Sequence, residues 1–530
     1  MKKLTIIATL IIFAGFILLV ALNSNFRRMQ TAQNSSDLGI NKNGNAESPI
    51  IKKCQSDKND CVVLVVVDSK TSDAINTELE QFKNDLVNDG YRPVVIESNF
   101  TTPEEIKKEM QKYKNSAEGA ILIGNIPFVR MSDPAIVANP VYASNSMISD
   151  NYYADIQGFC DKKISFYYDV RVCQKPTLLY PYIWVGRIMP SKVGSNATAQ
   201  LKDYFKRNHE YRIGQKIDPS KILYIVQDNL LLGASDIAVK NEFTRADISV
   251  SKWRSGDITT LISTKDNKQE FLDKLQENYP IAILNVHGGN TNHSYNITNQ
   301  DIENVKPKAK FIDLQSCSTA DSETRGGTFV QNYLAGEYLF SGSALVVKAS
   351  PVVHFESIPP QQQPFIKAIA LGNSFGEAMR IDWQGAYILL GDPTLKFESN
   401  KANAELEVSQ KEIDLGTIVF EKDFSFKNGR SATDEKITSL TFKNIGKETI
   451  EFQPTINYVA QGLSSNVIKI IKPNEETTIS YKSYGYQKIL NEASYTPKNG
   501  QQYTEPLYIL TNSRTKPIIQ IDFKYTAKVI

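Results

Sequence analysis

The sequence predicts an α/β body built on a parallel sheet, followed by an all-β module. Three observations carry this. Several short apolar runs are continuous rather than alternating: CVVLVVVDS from Cys61, IAILNVHGGN from Ile281 and AKFIDLQSCSTAD from Ala309. Strands buried on both faces read this way. Stretches with helical spacing lie between such runs, which is the pattern of strands crossing over through helices. After Asn400 the runs shorten and alternate, with turn residues between them.

Taken in order, residues 53–215 form a first block. CVVLVVVDS is a buried strand. Residues 72–88 have Leu79, Phe82 and Leu86 on one side and charges on the other, a helix. RPVVIES is a second strand, and a helix over 103–113 starts with Thr102 as cap and Pro103 as first residue. GAILIGNIPFV reads as a third strand. The Tyr-rich stretch 142–182 is irregular, and IWVGRI and residues 195–211 are a strand and a helix. A second block spans 216–400. KILYIVQDN is a strand ending in Gln227, Asp228 and Asn229, followed by helical patterns at 235–246 and 267–277. Then come the runs ending in His287 and Cys317, a helix around 326–340, the strand SALVVKAS and a helix near 361–380. Residues 403–530 carry ELEVS, EIDLGTIVF, SLTFKN, TIEFQP, TTISYKS, PLYILTN and IIQIDFKYTAKV, an antiparallel β-sandwich.

The N-terminus is not fold. Residues 4–22 are apolar or small and follow Lys2 and Lys3, so residues 1–28 read as an export signal. The length favours a retained membrane anchor over a cleaved peptide, and residues 29–52 read as a flexible tether. The expected location is the cell surface of a bacterial-type exporter, with secretion after cleavage as the alternative. Five cysteines fit export: Cys54, Cys61, Cys160 and Cys173 form two close pairs, of which Cys54–Cys61 and Cys160–Cys173 are the simplest of three pairings. Cys317 is then the odd thiol. No cysteine pair has zinc-finger spacing, so no metal is expected in the chemistry. A net charge of +2 leaves no electrostatic footprint for nucleic acid, and none is expected as a partner.

His287 and Cys317 each stand at the carboxyl end of a buried run, where ligands bind in open parallel sheets. An imidazole can activate a thiol as a nucleophile. Gly288 and Gly289 let a substrate backbone approach, and the Gly288 and Cys317 N–H groups can face a developing oxyanion. Either residue alone would more often be structural; the pair, one member followed by Gly-Gly, points to chemistry.

This pair resembles the catalytic core of the gingipain family of cysteine peptidases, in the caspase-like clan. SDNYYADIQG (149–158), YIWVGRIMPSKVGSNATAQLKDYFKRNHEYR (182–212) and YILLGDPTLKF (387–397) resemble three further segments of that family, in the same order. The match covers about residues 60–400. It implies a two-subdomain, parallel-sheet catalytic unit with helices on both faces and a Cys–His endopeptidase. The third catalytic member would fall at Asp228, where the family carries Glu about one residue away. Asp236 resembles the acid that selects a basic side chain before the cleaved bond, and His354 and Glu356 fall where the family builds a pocket wall. Gly289 would line the substrate. The resemblance allows a structural calcium and locates no site for it; no other cofactor is implied. DLGTI, FKNIGKETIEF and IKPNEETTISY resemble Ig-like domains of the ASPM/Hydin type, implying a spacer. The expected function is a membrane-tethered cysteine endopeptidase acting on protein or peptide. Two alternatives use the same scaffold: an inactive surface-binding protein, and a transpeptidase passing the thioester to an amine.

Overall fold

The computed structural model describes residues 61–131, 147–158, 162–163, 170–172, 182–214, 221–230, 258–323, 329–352, 364–381, 387–397, 403–420, 436–453, 460–462, 469–483, 499–513, 516 and 518–530. The expected anchor and tether, Cys54, Cys160, Cys173, Asp236, His354, Glu356 and the helical pattern at 235–246 lie outside these residues. Among the described residues, no helix is long and apolar enough to cross a membrane.

The first block supplies β1 (Val62–Asp68), β2 (Arg92–Ser98), β3 (Ala117–Ile123) and β8 (Trp184–Ile188). Between them β4 (Val129–Met131), β5 (Met147–Ser149), β6 (Lys162–Lys163) and β7 (Val170–Val172) form a separate small sheet. The second block supplies β9 (Ile222–Gln227), β10 (Ile258–Ser263), β11 (Ile281–Asn285), β14 (Phe311–Leu314), β15 (Val346–Ala349) and β16 (Ile388–Gly391), with a short hairpin of β12 (Asn292–His293) and β13 (Ile297–Thr298). The two blocks share one ten-stranded sheet, in the order β10-β9-β11-β14-β15-β16-β8-β3-β1-β2. Pairing is parallel through β2, β1, β3 and β8, and again through β10, β9, β11, β14 and β15.

Alternation along β1 shows how the layers form. Val63, Val65 and Val67 pack in one core with Leu79, Phe82 and Leu86 of the helix Asn76–Asn88. Val62, Leu64 and Val66 pack in a second core with Ile106 and Met110 of the helix Pro103–Gln111. Successive side chains leave a strand on opposite faces, so both faces of this half are covered. The second helix starts as expected: Thr102 caps Glu105 N–H in a capping box, with Pro in the first turn.

Several expectations need correction. The helix expected over 72–88 is two, Ser69–Ala74 and Asn76–Asn88, because the chain turns at Ile75 to bury that side chain completely. GAILIGNIPFV is not one strand: β3 ends at Ile123, Gly124 takes φ +83°, and Val129 joins the small sheet. Among the described residues of the 326–340 region helix runs over Leu334–Phe340, and the helix near 361–380 is two, Pro364–Ala370 and Phe375–Ile381. The sheet is not wholly parallel. β16 runs antiparallel to β15 and stands between the two halves, where Leu390 meets Arg187 of β8. Asp392, just beyond it, is fully buried and accepts from Thr394 N–H, Asn208 Nδ2 and Arg212, which ties the helix Ser195–Ile213 to the seam.

The C-terminal region is all-β. β17 (Leu406–Val408), β19 (Lys436–Asn444), β23 (Glu476–Ser483) and β21 (Ala460–Gly462) form one sheet. β18 (Glu412–Phe420), β25 (Ile518–Val529), β24 (Gln502–Thr511), β20 (Ile450–Gln453) and β22 (Lys469–Ile471) form the other. Leu440, Phe442 and Tyr481 of the first share a core with Phe452, Ile509 and Phe523 of the second. One pairing departs from the expected antiparallel pattern: β18 and β25 are parallel. They are far apart in sequence, so no hairpin forces them antiparallel. Leu510 and Ile518 pack into the core of the α/β body.

Candidate active site

The site is positioned by three neighbouring strands, β9, β11 and β14. Strand order reverses at β9, which pairs with β10 on one side and β11 on the other. The crevice at such a reversal, beyond the carboxyl ends, is where open α/β sheets bind ligands. Ile281–Leu284 and Phe311–Leu314 are buried throughout, which pins the register. Leu284 lies opposite Leu314. His287 stands three residues beyond the first and Cys317 three beyond the second, so the two are level across a parallel pair. Both are half-exposed.

The loops confirm the proximity of the two ends. A Cβ built on Gly288 would come within 3.1 Å of the Cys317 carbonyl oxygen and of Ser316 Cβ, and 3.0 Å of Thr319 Cγ2. Gly288 thus lets the His-bearing loop lie closely against the Cys-bearing one, with little room for a side chain. Gln315 N–H donates to Leu284 O at 3.0 Å, which extends the β11–β14 ladder toward Cys317. Ser318, next to the cysteine, takes φ +55°, a left-handed conformation rare for a side chain of this kind, and donates its N–H to Val352 O at 3.0 Å. The chain therefore turns sharply at the sulfur and presents it at the end of the strand.

Gly288, expected to face an oxyanion, and its neighbour Gly289 differ in how their N–H groups are used. Gly288 faces His293 in an isolated antiparallel bridge, in which His287 O accepts from Ser294 N–H and Gly289 N–H donates to Asn292 O. Among the described residues the Gly288 N–H has no acceptor. The Gly289 N–H is committed to the loop, so Gly289 contributes open backbone, not a donor.

Below the cysteine the strand is stiffened by charge. Asp313 of β14 and Lys348 of β15 are opposite in register, fully buried and 3.9 Å apart. Gln315 Nε2 donates to Asp313 Oδ2 at 3.1 Å, and the Lys348 ammonium lies 4.1 Å from the Tyr387 ring centroid.

Four residues near the His loop complete the picture. Gln227, at the end of β9 and 2 % exposed, accepts from the His287 N–H at 2.9 Å. Asp228 is exposed and accepts from Tyr295 Oη at 2.6 Å. The hydrogen bond from β9 to residue 287 therefore comes from Gln227 and reaches the backbone. His293 is 1 % exposed, lies 3.0 Å by Nε2 from Tyr338 Oη, and packs on Phe271. Burial pushes its pKa down to about 4, against the pull of the His287 carbonyl. It anchors the loop inside the core, and the position open to solvent belongs to His287. Gln227 and Tyr295 carry no motif; a Gln closing an apolar strand was their only trace in the sequence.

Cys61 is disulfide-bonded, with its partner outside the described residues, and Cys317 is in no disulfide. No family model and no curated protein matches the chain. Among solved structures, the Arg-specific cysteine proteinase gingipain R aligns over 89 % of this chain and 100 % of its own, at 14 % identity and a TM-score of 0.46. The complex of Porphyromonas gingivalis RgpB pro- and mature domains aligns over 87 % and 99 %, at 15 % identity and a TM-score of 0.45. The ASH/PapD-like domain of human CEP192 aligns over 26 % of this chain and 92 % of its own, at 9 % identity and a TM-score of 0.15.

Proposed function

We propose that the protein is an exported cysteine endopeptidase, tethered to the cell surface by residues 1–28. The observation that carries this is the level placement of His287 and Cys317 beyond adjacent parallel strands, with Gly288 seated on the cysteine loop. His287 takes the thiol proton as Cys317 Sγ attacks the scissile carbonyl. The Gly288 and Cys317 N–H groups hold the oxyanion, as preorganised donors do in acyl transfer. His287 returns the proton to the leaving amine, which leaves a thioester on Cys317. Water, deprotonated by His287, then releases the acid and restores the thiol. The substrate is a protein or peptide, with a basic residue before the cleaved bond recognised by Asp236. The sequence resemblance to gingipains supports this reading.

The test is to label the purified ectodomain with a peptidyl electrophile carrying Lys or Arg at the first position. Labelling of Cys317 that is lost in His287→Ala is expected, together with cleavage in a peptide library after basic residues. Labelling insensitive to His287, or cleavage retained by Cys317→Ala, overturns the mechanism.

A further inference from the structure

Tyr295 is an aromatic residue at φ +60°, followed by Asn296 at φ +59°. Bulky residues avoid this region, and such strain persists only where surrounding contacts impose it. Two contacts meet here. The Tyr295 hydroxyl donates to Asp228 Oδ1 at 2.6 Å, a length typical of a bond to an ionised carboxylate. That bond raises the tyrosine pKa. Gln227, the residue before Asp228 and buried between strands, accepts through its amide oxygen from the His287 N–H at 2.9 Å. Tyr295 lies in the loop between β12 and β13, and β12 itself is bridged to Gly288.

We propose that Asp228, Tyr295 and Gln227 form a strut that fixes the His287 loop through its backbone, making the carboxylate at the end of β9 a positioning residue. The strained tyrosine is the joint. It connects the hairpin tip to Asp228 at the end of β9, and Gln227, the preceding residue, passes the constraint to residue 287. The imidazole is then aimed by where its main chain is held. This departs from a triad in which a carboxylate hydrogen-bonds the imidazole directly. For its kinetic readout the inference rests on the peptidase reading.

The experiment uses the full ectodomain carrying Tyr295→Phe, Asp228→Ala, the double variant and Gln227→Leu. Three quantities are measured: kcat and KM separately, amide hydrogen exchange over 287–296, and the thermal midpoint. Each single change at 295 or 228 is expected to lower kcat ~3–10-fold, the worth of one hydrogen bond, with KM within about twofold. The double variant should be no slower than the worse single, since one strut is lost only once. Gln227→Leu should cost more, up to ~100-fold, as misplacement of a catalytic group does. Exchange at 287–296 should rise in all four while the midpoint moves by no more than about 2 °C in the exposed-site variants. Unchanged kcat and exchange in Tyr295→Phe and Asp228→Ala, or additive losses in the double variant, overturn the strut. If Cys317→Ala keeps full peptidase activity, the peptidase reading falls, and the exchange data alone decide the strut.

Discussion

The two halves of the central sheet are wound alike and end differently. In the first, strands run β2-β1-β3-β8; in the second, β10-β9-β11-β14. Each therefore reverses strand order once, between β1 and β3 and between β9 and β11. At the first reversal the strand ends are taken up by local contacts. Asp68, ending β1, caps the helix Ser69–Ala74 through Thr71 N–H at 2.9 Å. A Cβ on Gly124, beyond β3, would come within 2.9 Å of Asp68 Oδ2 and 2.7 Å of Thr71 Oγ1. Nearby, Arg187 of β8 is fully buried and is held by Asp150 and the Ile126 carbonyl. At the second reversal the strand ends carry Gln227, His287 and, one strand over, Cys317, and the last two stay half-exposed. The winding supplies a crevice twice. The side chains at the strand ends differ: a helix cap with a buried Arg–Asp pair nearby at the first, a His and a Cys at the second.

Four experiments bear on that contrast. Cys317→Ala should remove at least ~10⁴-fold of the peptidase rate, as loss of a covalent nucleophile does, and leave urea unfolding unchanged. Arg187→Met should do the reverse. Leaving Asp150 buried without its partner costs about 3–5 kcal/mol in urea unfolding, while the folded fraction keeps its labelling rate at Cys317. A large loss of Cys317 reactivity in Arg187→Met would erase the division between a structural and a chemical end.

The third experiment concerns pH. His293 has a folded pKa of about 4, below the ordinary ~6.5, so the unfolded chain binds the proton first. Its contribution is fully present above pH ~6.5 and is lost as pH falls toward 4, levelling below that. Moving the proton affinity from ~6.5 to about 4 corresponds to a loss of roughly 3–4 kcal/mol. Unfolding free energies at pH 7 and 4.5 should show this slope in the wild type and a shallower one in His293→Gln. The smallest effect is at Gly288→Ala. The added methyl would press on the Cys317 carbonyl and Ser316 Cβ at 3.1 Å, so the cysteine loop must give by a few tenths of an ångström. We expect about 1–3 kcal/mol of destabilisation and a lower kcat at unchanged KM; wild-type kcat would show that the two loops do not depend on their contact.

His287 and Cys317 were legible because each closes an apolar run, and a run of that kind marks its own end. The N-cap at Thr102 was legible because it is written in adjacent residues. The break at Ile75 was not, since the helical spacing of 72–88 continues through it and only burial of Ile75 against the sheet interrupts the helix. Gln227 and Tyr295 were hidden for a different reason. Their partners lie 60 and 67 residues away in sequence, and only the β9–β11 pairing brings them together.

The sequence by itself determined the long buried strands of the main sheet and that His287 and Cys317 stand at the ends of two of them, because side-chain periodicity and turn chemistry are local. Tertiary structure alone decided that β16 would turn antiparallel and join two blocks into one sheet, that the His287 and Cys317 loops would lie against each other, and that Asp228 would meet a tyrosine hydroxyl. Those outcomes depend on long-range strand pairing, whose free energy belongs to the assembled sheet and to no single segment.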